Sequence, residues 1–359
     1  MPDFTYQGLA SRVVFGRGTI SALKREVEAL GCRRVLVVST SQQTADADRV
    51  KARLGDLHAA TFSGAAMHTP TDVTARVLEL VQEQAIDGVV AIGGGSSIGL
   101  SKAIALHTDL PQLVVPTTYA GSEMTPILGQ TENGVKTTQR TLRVLPETVV
   151  YDVELTLTLP PLMSVASGLN ALAHAAEALY AQDCNPIVSL MASEGITALY
   201  DSLPRIKSDP ADLDARASAL YGSWLCGICL ASTSMGLHHK LCHTLGGTLN
   251  LPHAETHAVV LPHALAYNTP AVTDALKIME RALGGGDVPA KLYDMTKSSG
   301  ATVALKDLGM AESDIPVVVQ AVMSKPYANP VPLSAGAIEK LLRNAWGGVR
   351  PDQSNSPHA

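Results

Sequence analysis

Asp87 to Ser97 read DGVVAIGGGSS. Val89 to Ile92 is an unbroken apolar run of strand length, and Gly93, Gly94 and Gly95 interrupt it before a helical segment that holds Lys102. A run without polar alternation is a strand covered on both faces, as in a parallel sheet. Glycines at its end let the backbone approach a pyrophosphate, and a helix that starts there offers free N–H groups and the positive end of its dipole. Gly93, Gly94, Gly95, Ser96 and Ser97 are therefore a candidate phosphate cradle, although the spacing is not the GxGxxG of the usual dinucleotide fingerprint.

On either side the pattern repeats. RVLVVS at 34–39 and QLVVP at 112–116 are further apolar strands, and TISALKREVEAL at 19–30 and residues 72–84 carry apolar positions at helical spacing. The order βαβα predicts a doubly wound α/β domain. Its second loop, Pro116-Thr117-Thr118-Tyr119-Ala120-Gly121-Ser122-Glu123, would lie at the carboxyl end of the same sheet, where ligands bind in such folds. Upstream, Phe4 to Phe15 alternates loosely and predicts a hairpin. After Leu159-Pro160-Pro161 the strand signal fades, and Ala- and Leu-rich segments at 165–180 and 215–230 predict long helices. The expected organisation is a dinucleotide-binding domain over 1–159, an all-helical substrate domain over 160–350 and a polar, disordered tail over 351–359.

Composition narrows the class. The chain has 359 residues, 46% apolar and 17% charged, with 27 basic against 33 acidic side chains and a net charge of −6. No basic field speaks for nucleic acid, and no apolar stretch has the length of a bilayer span. Five cysteines suit a reducing compartment, and the reading is of a soluble cytoplasmic protein. Cys226 and Cys229 form a lone CxxC in apolar, helical surroundings and read as packing residues.

Histidines cluster in the second half. Asn170 and His174 lie one turn apart in GLNALAHAAEA, and His239 and His243 repeat that spacing in GLHHKLCHTLGG, with His253 ten residues on. Side chains at i and i+4 can converge on one ion or one substrate. Glu123 and Glu177 are possible acids without a partner visible in the sequence.

Four stretches, GGGSSIGLSKAIA (93–105), PTTYAGSEMT (116–125), SGLNALAHAAEALY (167–180) and GLHHKLCHTLGGTLNLPHAETHAVVLPH (236–263), resemble the iron-containing alcohol dehydrogenase superfamily, with its dehydroquinate-synthase-like fold. The resemblance runs from Gly16 to about Pro330 and is strongest to the branch that reduces maleylacetate. It implies reduction of maleylacetate to 3-oxoadipate by hydride from NADH or NADPH in aromatic-compound breakdown, with 2-chloro analogues as further substrates, and a homodimer. In metal-dependent members an aspartate and three histidines hold the ion; those positions here are Asn170, His174, His239 and His253, and a histidine beside the nicotinamide matches His243. The usual aspartate of GGGSxxD is Gly99. With the carboxylate lost at Asn170, three histidines suit an anion better than a cation, and the expectation is a vestigial site without metal that takes a small dicarboxylate.

Within that resemblance, His243 or His253 is the expected proton donor. His174, His239 and Asn170 would hold a carboxylate or enolate oxygen, with Lys240 and Thr118 or Tyr119 as secondary contacts. Gly93 to Ser97, Thr117, Thr118, Ser39 and Thr40 would bind the dinucleotide. Because Thr40 stands where NAD-selective members carry aspartate, both cofactors should work. The alternative is a metal-dependent alcohol dehydrogenase or aldehyde reductase with Asn170 as a weak ligand.

Overall fold

The computed structural model describes residues 3–132, 135–324 and 327–351. The chain divides into two compact units, Gly8–Leu159 and Pro160–Ala359 together with Met1–Gln7. Of the tail expected over 351–359, residues 352–359 lie outside the described residues.

The first unit holds β1 (Arg12–Gly16), α1 (Leu23–Ala29), β2 (Val35–Val38), α2 (Thr44–Leu54), β3 (His58–Phe62), α3 (Thr71–Glu83), β4 (Gly88–Gly93), α4 (Gly95–Thr108), β5 (Gln112–Pro116), β6 (Ile127–Glu132), β7 (Val135–Arg140) and β8 (Thr148–Asp152). Six strands form one parallel sheet in the order β1-β8-β5-β4-β2-β3, and β6 and β7 pair antiparallel beside it. The apolar runs explain why the sheet is covered twice. Val35, Val37, Val90 and Ile92 pack with Leu23 and Val50 of α1 and α2, while Leu36, Val38, Val89 and Ala91 pack with Val77 and Ile104 of α3 and α4. Successive residues point to opposite faces, so both parities must be apolar. The chain steps from β2 outward to β3 and returns across β2 to β4, which makes the carboxyl ends of β2 and β4 a topological switch point.

One expectation fails here. Residues 3–11 form neither helix nor strand, and Arg12–Gly16 does not fold back into a hairpin. Instead β1 pairs parallel with β8, from Arg12 opposite Thr148 to Gly16 opposite Asp152. The partner strand lies over a hundred residues away, and alternation cannot reveal which neighbour a strand takes.

The second unit contains α5 (Pro161–Ala178), α6 (Pro186–Ser208), α7 (Leu213–Ser232), α8 (Leu237–Leu249), α9 (His253–Asn268), α10 (Thr273–Ala282), α11 (Val288–Ser298), α12 (Ile315–Met323) and α13 (Ala335–Gly347). Ser164 to Ala178 of α5 are all buried, as expected of a helix with apolar or small residues on every face. It contacts α6, α7 and α9 and is the axis of the unit. Cys226 and Cys229 are free, buried thiols of α7, and burial pushes that of Cys229 up to about 12. Among the described residues no single helix is long and apolar enough to cross a membrane.

Burial in α9 gives the fold an acid sensitivity. His263 is almost wholly enclosed, and desolvation pushes its imidazole down from 6.5 to about 3. Between those two values the unfolded chain binds a proton that the folded chain refuses, so stability is intact above the upper value and falls as pH drops through the window. At pH 5 this one group costs about 2 kcal/mol. Unfolding free energy measured by denaturant titration from pH 7 to pH 4 should fall less steeply in His263→Leu, by close to one proton; equal slopes would exclude this assignment.

Candidate active site

Six imidazoles gather where α5, α8 and α9 meet in the second unit. Helical spacing places them. Asn170, His174 and Glu177 occupy one face of α5, His239 and His243 are one turn apart on α8, and His253 and His257 repeat the step on α9. The ring centroids of His253 and His257 are 4.3 Å apart, those of His238 and His257 4.8 Å, and those of His239 and His257 5.2 Å. His174, His238, His239 and His257 are buried, whereas His243 is exposed and His253 half-buried, their rings stacked at 6.5 Å. The cluster thus has a sealed inner part and an outer pair in reach of water.

Glu177 organises the inner part. Its Oε2 accepts from Nδ1 of His239 at 2.6 Å and from the backbone N–H of Gly236 at 3.1 Å and His239 at 3.3 Å, while Oε1 accepts from the N–H of His238 at 2.8 Å. These N–H groups open α8, whose N-cap Gly236 supplies no side-chain acceptor, so the buried carboxylate replaces the cap. Burial pushes the carboxyl of Glu177 up, and the nearby His238 and the backbone N–H groups of His238, His239 and Gly236 pull against it. His239 Nε2 in turn lies 2.8 Å from Nδ1 of His174.

The rings of His238, His239 and His257 are neutral at physiological pH. Desolvation, then the nearby charge of His243, pushes His239 down to about 3, and desolvation followed by His239 takes His238 to about 4. Burial first and its imidazole neighbours second hold His257 well below its ordinary value. Asn170 Oδ1, His238 Nδ1 and both ring nitrogens of His257 are buried with no hydrogen-bond partner among the described residues. Each such group costs about 1–3 kcal/mol when left unsatisfied, and several together indicate a pocket built for a polar ligand.

Of the residues expected from the sequence, His174 and His239 are in direct contact, His243 and His253 form the outer pair, and Asn170 sits one turn before His174. Lys240 turns elsewhere: its ammonium stands 5.7 Å from the ring centroid of Tyr327. His238 and His257 were not among the expected residues. His257 stands one turn after His253, and that spacing was a legible signal; His238 had only adjacency to His239. The expectation of a metal-free pocket meets a difficulty here, since His238, His239 and His257 offer ring nitrogens within 4.8 Å of one another. Three neutral imidazoles, one backed by a carboxylate, are a donor set suited to Zn²⁺ or Fe²⁺.

The first unit carries the expected cradle. Gly93 ends β4 at φ +137°, and a side chain there would collide with Gln43 Oε1 and lie 2.6 Å from Ser97 Oγ. At Gly94 it would meet Thr118 Cγ2 at 2.7 Å. Gly95 is exposed, Ser96 half-buried, and α4 starts without a side-chain cap. Ser97 Oγ is buried and without a hydrogen-bond partner among the described residues, an orphaned donor at the floor of the loop. Gln43 Nε2 donates to Thr117 Oγ1 at 2.8 Å, tying the loop after β2 to that after β5. Thr40 is half-buried beside Gln43, whereas Ser39 is enclosed and bonded to Ser63 Oγ at 2.9 Å. Tyr119 is also fully buried, in the body of its own unit, which argues against a direct substrate contact by its side chain. The two acids left open by the sequence separate: Glu123 is an interior group, accepting from Tyr151 Oη at 2.8 Å.

The absent aspartate after the glycine loop has a steric counterpart. A Cβ at Gly99 would collide with Thr69 Oγ1. Thr69 is buried at φ +47° behind His68 at φ +64°, a left-handed pair that is strained for a β-branched residue. Gly99→Asp should therefore destabilise the fold by roughly 1–3 kcal/mol through overpacking. Thr69→Gly in the same chain should recover most of that loss, read as Tm by calorimetry; additive effects of the two changes would show that they are not coupled.

The family model described as "Iron-containing alcohol dehydrogenase" matches residues 10–153, and that described as "Fe-containing alcohol dehydrogenase family, C-terminal" matches residues 164–346. A maleylacetate reductase from Rhizobium sp. (strain MTP-10005) is 53% identical, with 98% of this chain and 100% of the relative aligned. Maleylacetate reductase 1 from Cupriavidus pinatubonensis is 51% identical over 98% of this chain and 99% of the relative. The crystal structure of maleylacetate reductase from Agrobacterium tumefaciens superposes with a TM-score of 0.94 at 51% identity, covering 98% of this chain and 100% of that one.

Proposed function

The chain belongs to the iron-containing alcohol dehydrogenase family, and from that membership we propose that it reduces maleylacetate to 3-oxoadipate with hydride from a nicotinamide dinucleotide. The observation that carries this reading is the buried cluster of neutral imidazoles whose family carboxylate is replaced by Asn170 and whose polar atoms still lack partners. Among the orphaned atoms one ring nitrogen of His257 carries a hydrogen to give, and no negative charge faces the pocket from Asn170. It suits a carboxylate or an enolate oxygen.

Maleylacetate is an enone flanked by two carboxylates. Hydride adds to the alkene carbon β to the ketone, the alkene electrons move to the ketone oxygen as an enolate, and a proton from the protein completes the neighbouring carbon. The bound dinucleotide supplies the hydride. The ring N–H of His257 and the amide of Asn170 are the candidates to hold the oxyanion, with His174 and His239, whose own hydrogens are committed, beside them. Either His243 or His253 is the candidate proton donor, since both can be recharged from water. Gly93 to Ser97 and Thr117 to Thr118 would take the pyrophosphate: the orphaned Ser97 hydroxyl and the uncapped start of α4 support this. With no carboxylate at Thr40, NADH and NADPH should both serve. A homodimer is also proposed, on the ground that β1 lies at a sheet edge; sedimentation at the mass of one chain would exclude it.

The reaction as proposed needs no metal. At the four positions that the resemblance assigns to an ion, the carboxylate is replaced by Asn170, a neutral and weaker ligand. A second reading, a metal-dependent alcohol dehydrogenase or aldehyde reductase, is favoured by one observation, the nitrogens of His238, His239 and His257. These residues would hold the cation, which would polarise a carbonyl as a Lewis acid.

Oxidation of NADH followed at 340 nm with maleylacetate should proceed at the same rate before and after exhaustive dialysis against chelator. One equivalent of iron or zinc whose removal abolishes turnover would decide for the second reading. His243→Ala should lower kcat by at least about a hundredfold; turnover like that of the unaltered protein would remove His243 from the mechanism.

A further inference from the structure

We propose that Glu177 is a positioning residue that sets the proton on two imidazoles in series, fixing the tautomer of His239 and, through it, that of His174. The kinetic part of this inference rests on the reading given under Proposed function; the tautomers do not. A carboxylate only accepts, so the 2.6 Å contact between Glu177 Oε2 and His239 Nδ1 requires the hydrogen on Nδ1. The lone pair of a neutral His239 is then on Nε2. His174 Nδ1 stands 2.8 Å from that lone pair and must be the donor, which leaves the lone pair of His174 on Nε2. The hydrogen bonds run in one direction, from His174 to His239 to Glu177.

The anchor of this chain is rigid. Glu177 is 1% exposed, and the N–H groups of Gly236, His238 and His239 hold both its oxygens at the start of α8. His239 stands on that same helix, so the backbone that fixes the carboxylate also fixes the ring it orients. His238 is oriented independently, its Nε2 donating to the carbonyl of His257 at 3.1 Å, and does not compete for the carboxylate.

Three of the four donors converge on Oε2, namely the backbone N–H groups of Gly236 and His239 and the ring Nδ1 of His239, and one, the N–H of His238, meets Oε1. Glutamine at position 177 with its oxygen in the place of Oε2 keeps those three and conserves the tautomers. Leucine keeps most of the bulk and removes every acceptor. Nothing then holds the hydrogen of His239 on Nδ1, so it moves to Nε2 and the bond to His174 reverses.

The test is a two-bond ¹H–¹⁵N correlation spectrum of protein labelled on histidine, without substrate, with ring signals assigned through His174→Gln and His239→Gln. In the unaltered protein both His174 and His239 should be protonated on Nδ1. In Glu177→Gln both should keep that hydrogen; in Glu177→Leu, His239 should shift to Nε2–H, and kcat with maleylacetate should fall about 10- to 100-fold while the Kd for NADH, read by fluorescence, stays within twofold. A wild-type spectrum with His239 protonated on Nε2, or an unchanged spectrum in Glu177→Leu, overturns the proposal. If Glu177→Leu does not fold, the wild-type spectrum alone decides. Reversed tautomers with undiminished turnover would uphold the positioning of His239 and count instead against a catalytic part for these rings.

Discussion

A charged carboxylate sealed from water must find all its partners inside the protein, and the helical unit is arranged around that demand. Glu177 lies on α5, buried on every side, and its oxygens are met by the first N–H groups of α8 and by the ring of His239. One contact solves two problems: α8 begins without a capping side chain, and Glu177 would otherwise be an uncompensated interior charge. Because His238 and His239 sit in that first turn, locking α8 onto α5 also delivers two imidazoles to the face that bears Asn170 and His174. The remaining rings follow from the short step to α9, which starts at His253.

In the α/β unit the organising constraint is steric. Parallel strands with both parities apolar can be buried only between two helical layers, and their polar connections are thereby confined to the ends. At the carboxyl end this leaves backbone, small residues and hydroxyls: Gly93 against Gln43 and Ser97, Gly94 against Thr118. The glycines are required because neighbouring loops already occupy the space a side chain would need. What remains open at the start of α4 is backbone N–H, the group a phosphate binds.

Local periodicity made much of this visible in the sequence. The apolar runs at 34–39, 87–92 and 112–116 are strands β2, β4 and β5, and the spacing of Asn170 with His174 and of His239 with His243 places each pair on one helical face. What periodicity cannot carry is the identity of a partner from a distant element. The pairing of β1 with β8, the capture of Glu177 by α8 and the approach of Thr69 to Gly99 are tertiary events, each joining residues about 30 to more than 130 positions apart. Tyr119 and Ser39 show the same lesson in reverse. Their types suit a polar site, but their surroundings bury them. His257 could have been found by extending the i, i+4 rule from His253, since it differs in kind from none of the histidines that were expected.

The left-handed turn at His68 and Thr69 bears on how such a protein could exchange one chemistry for another. By the resemblance an acidic residue at position 99 goes with metal-dependent members, yet here the hydroxyl of a strained threonine occupies the room a side chain would need. Two positions thirty residues apart are thus joined by one small volume that holds either occupant and not both. A lineage crossing between the branches one substitution at a time meets a crowded intermediate or an empty one, depending on which position changes first. The order of substitutions becomes a matter of history, with the vacant intermediate the gentler road.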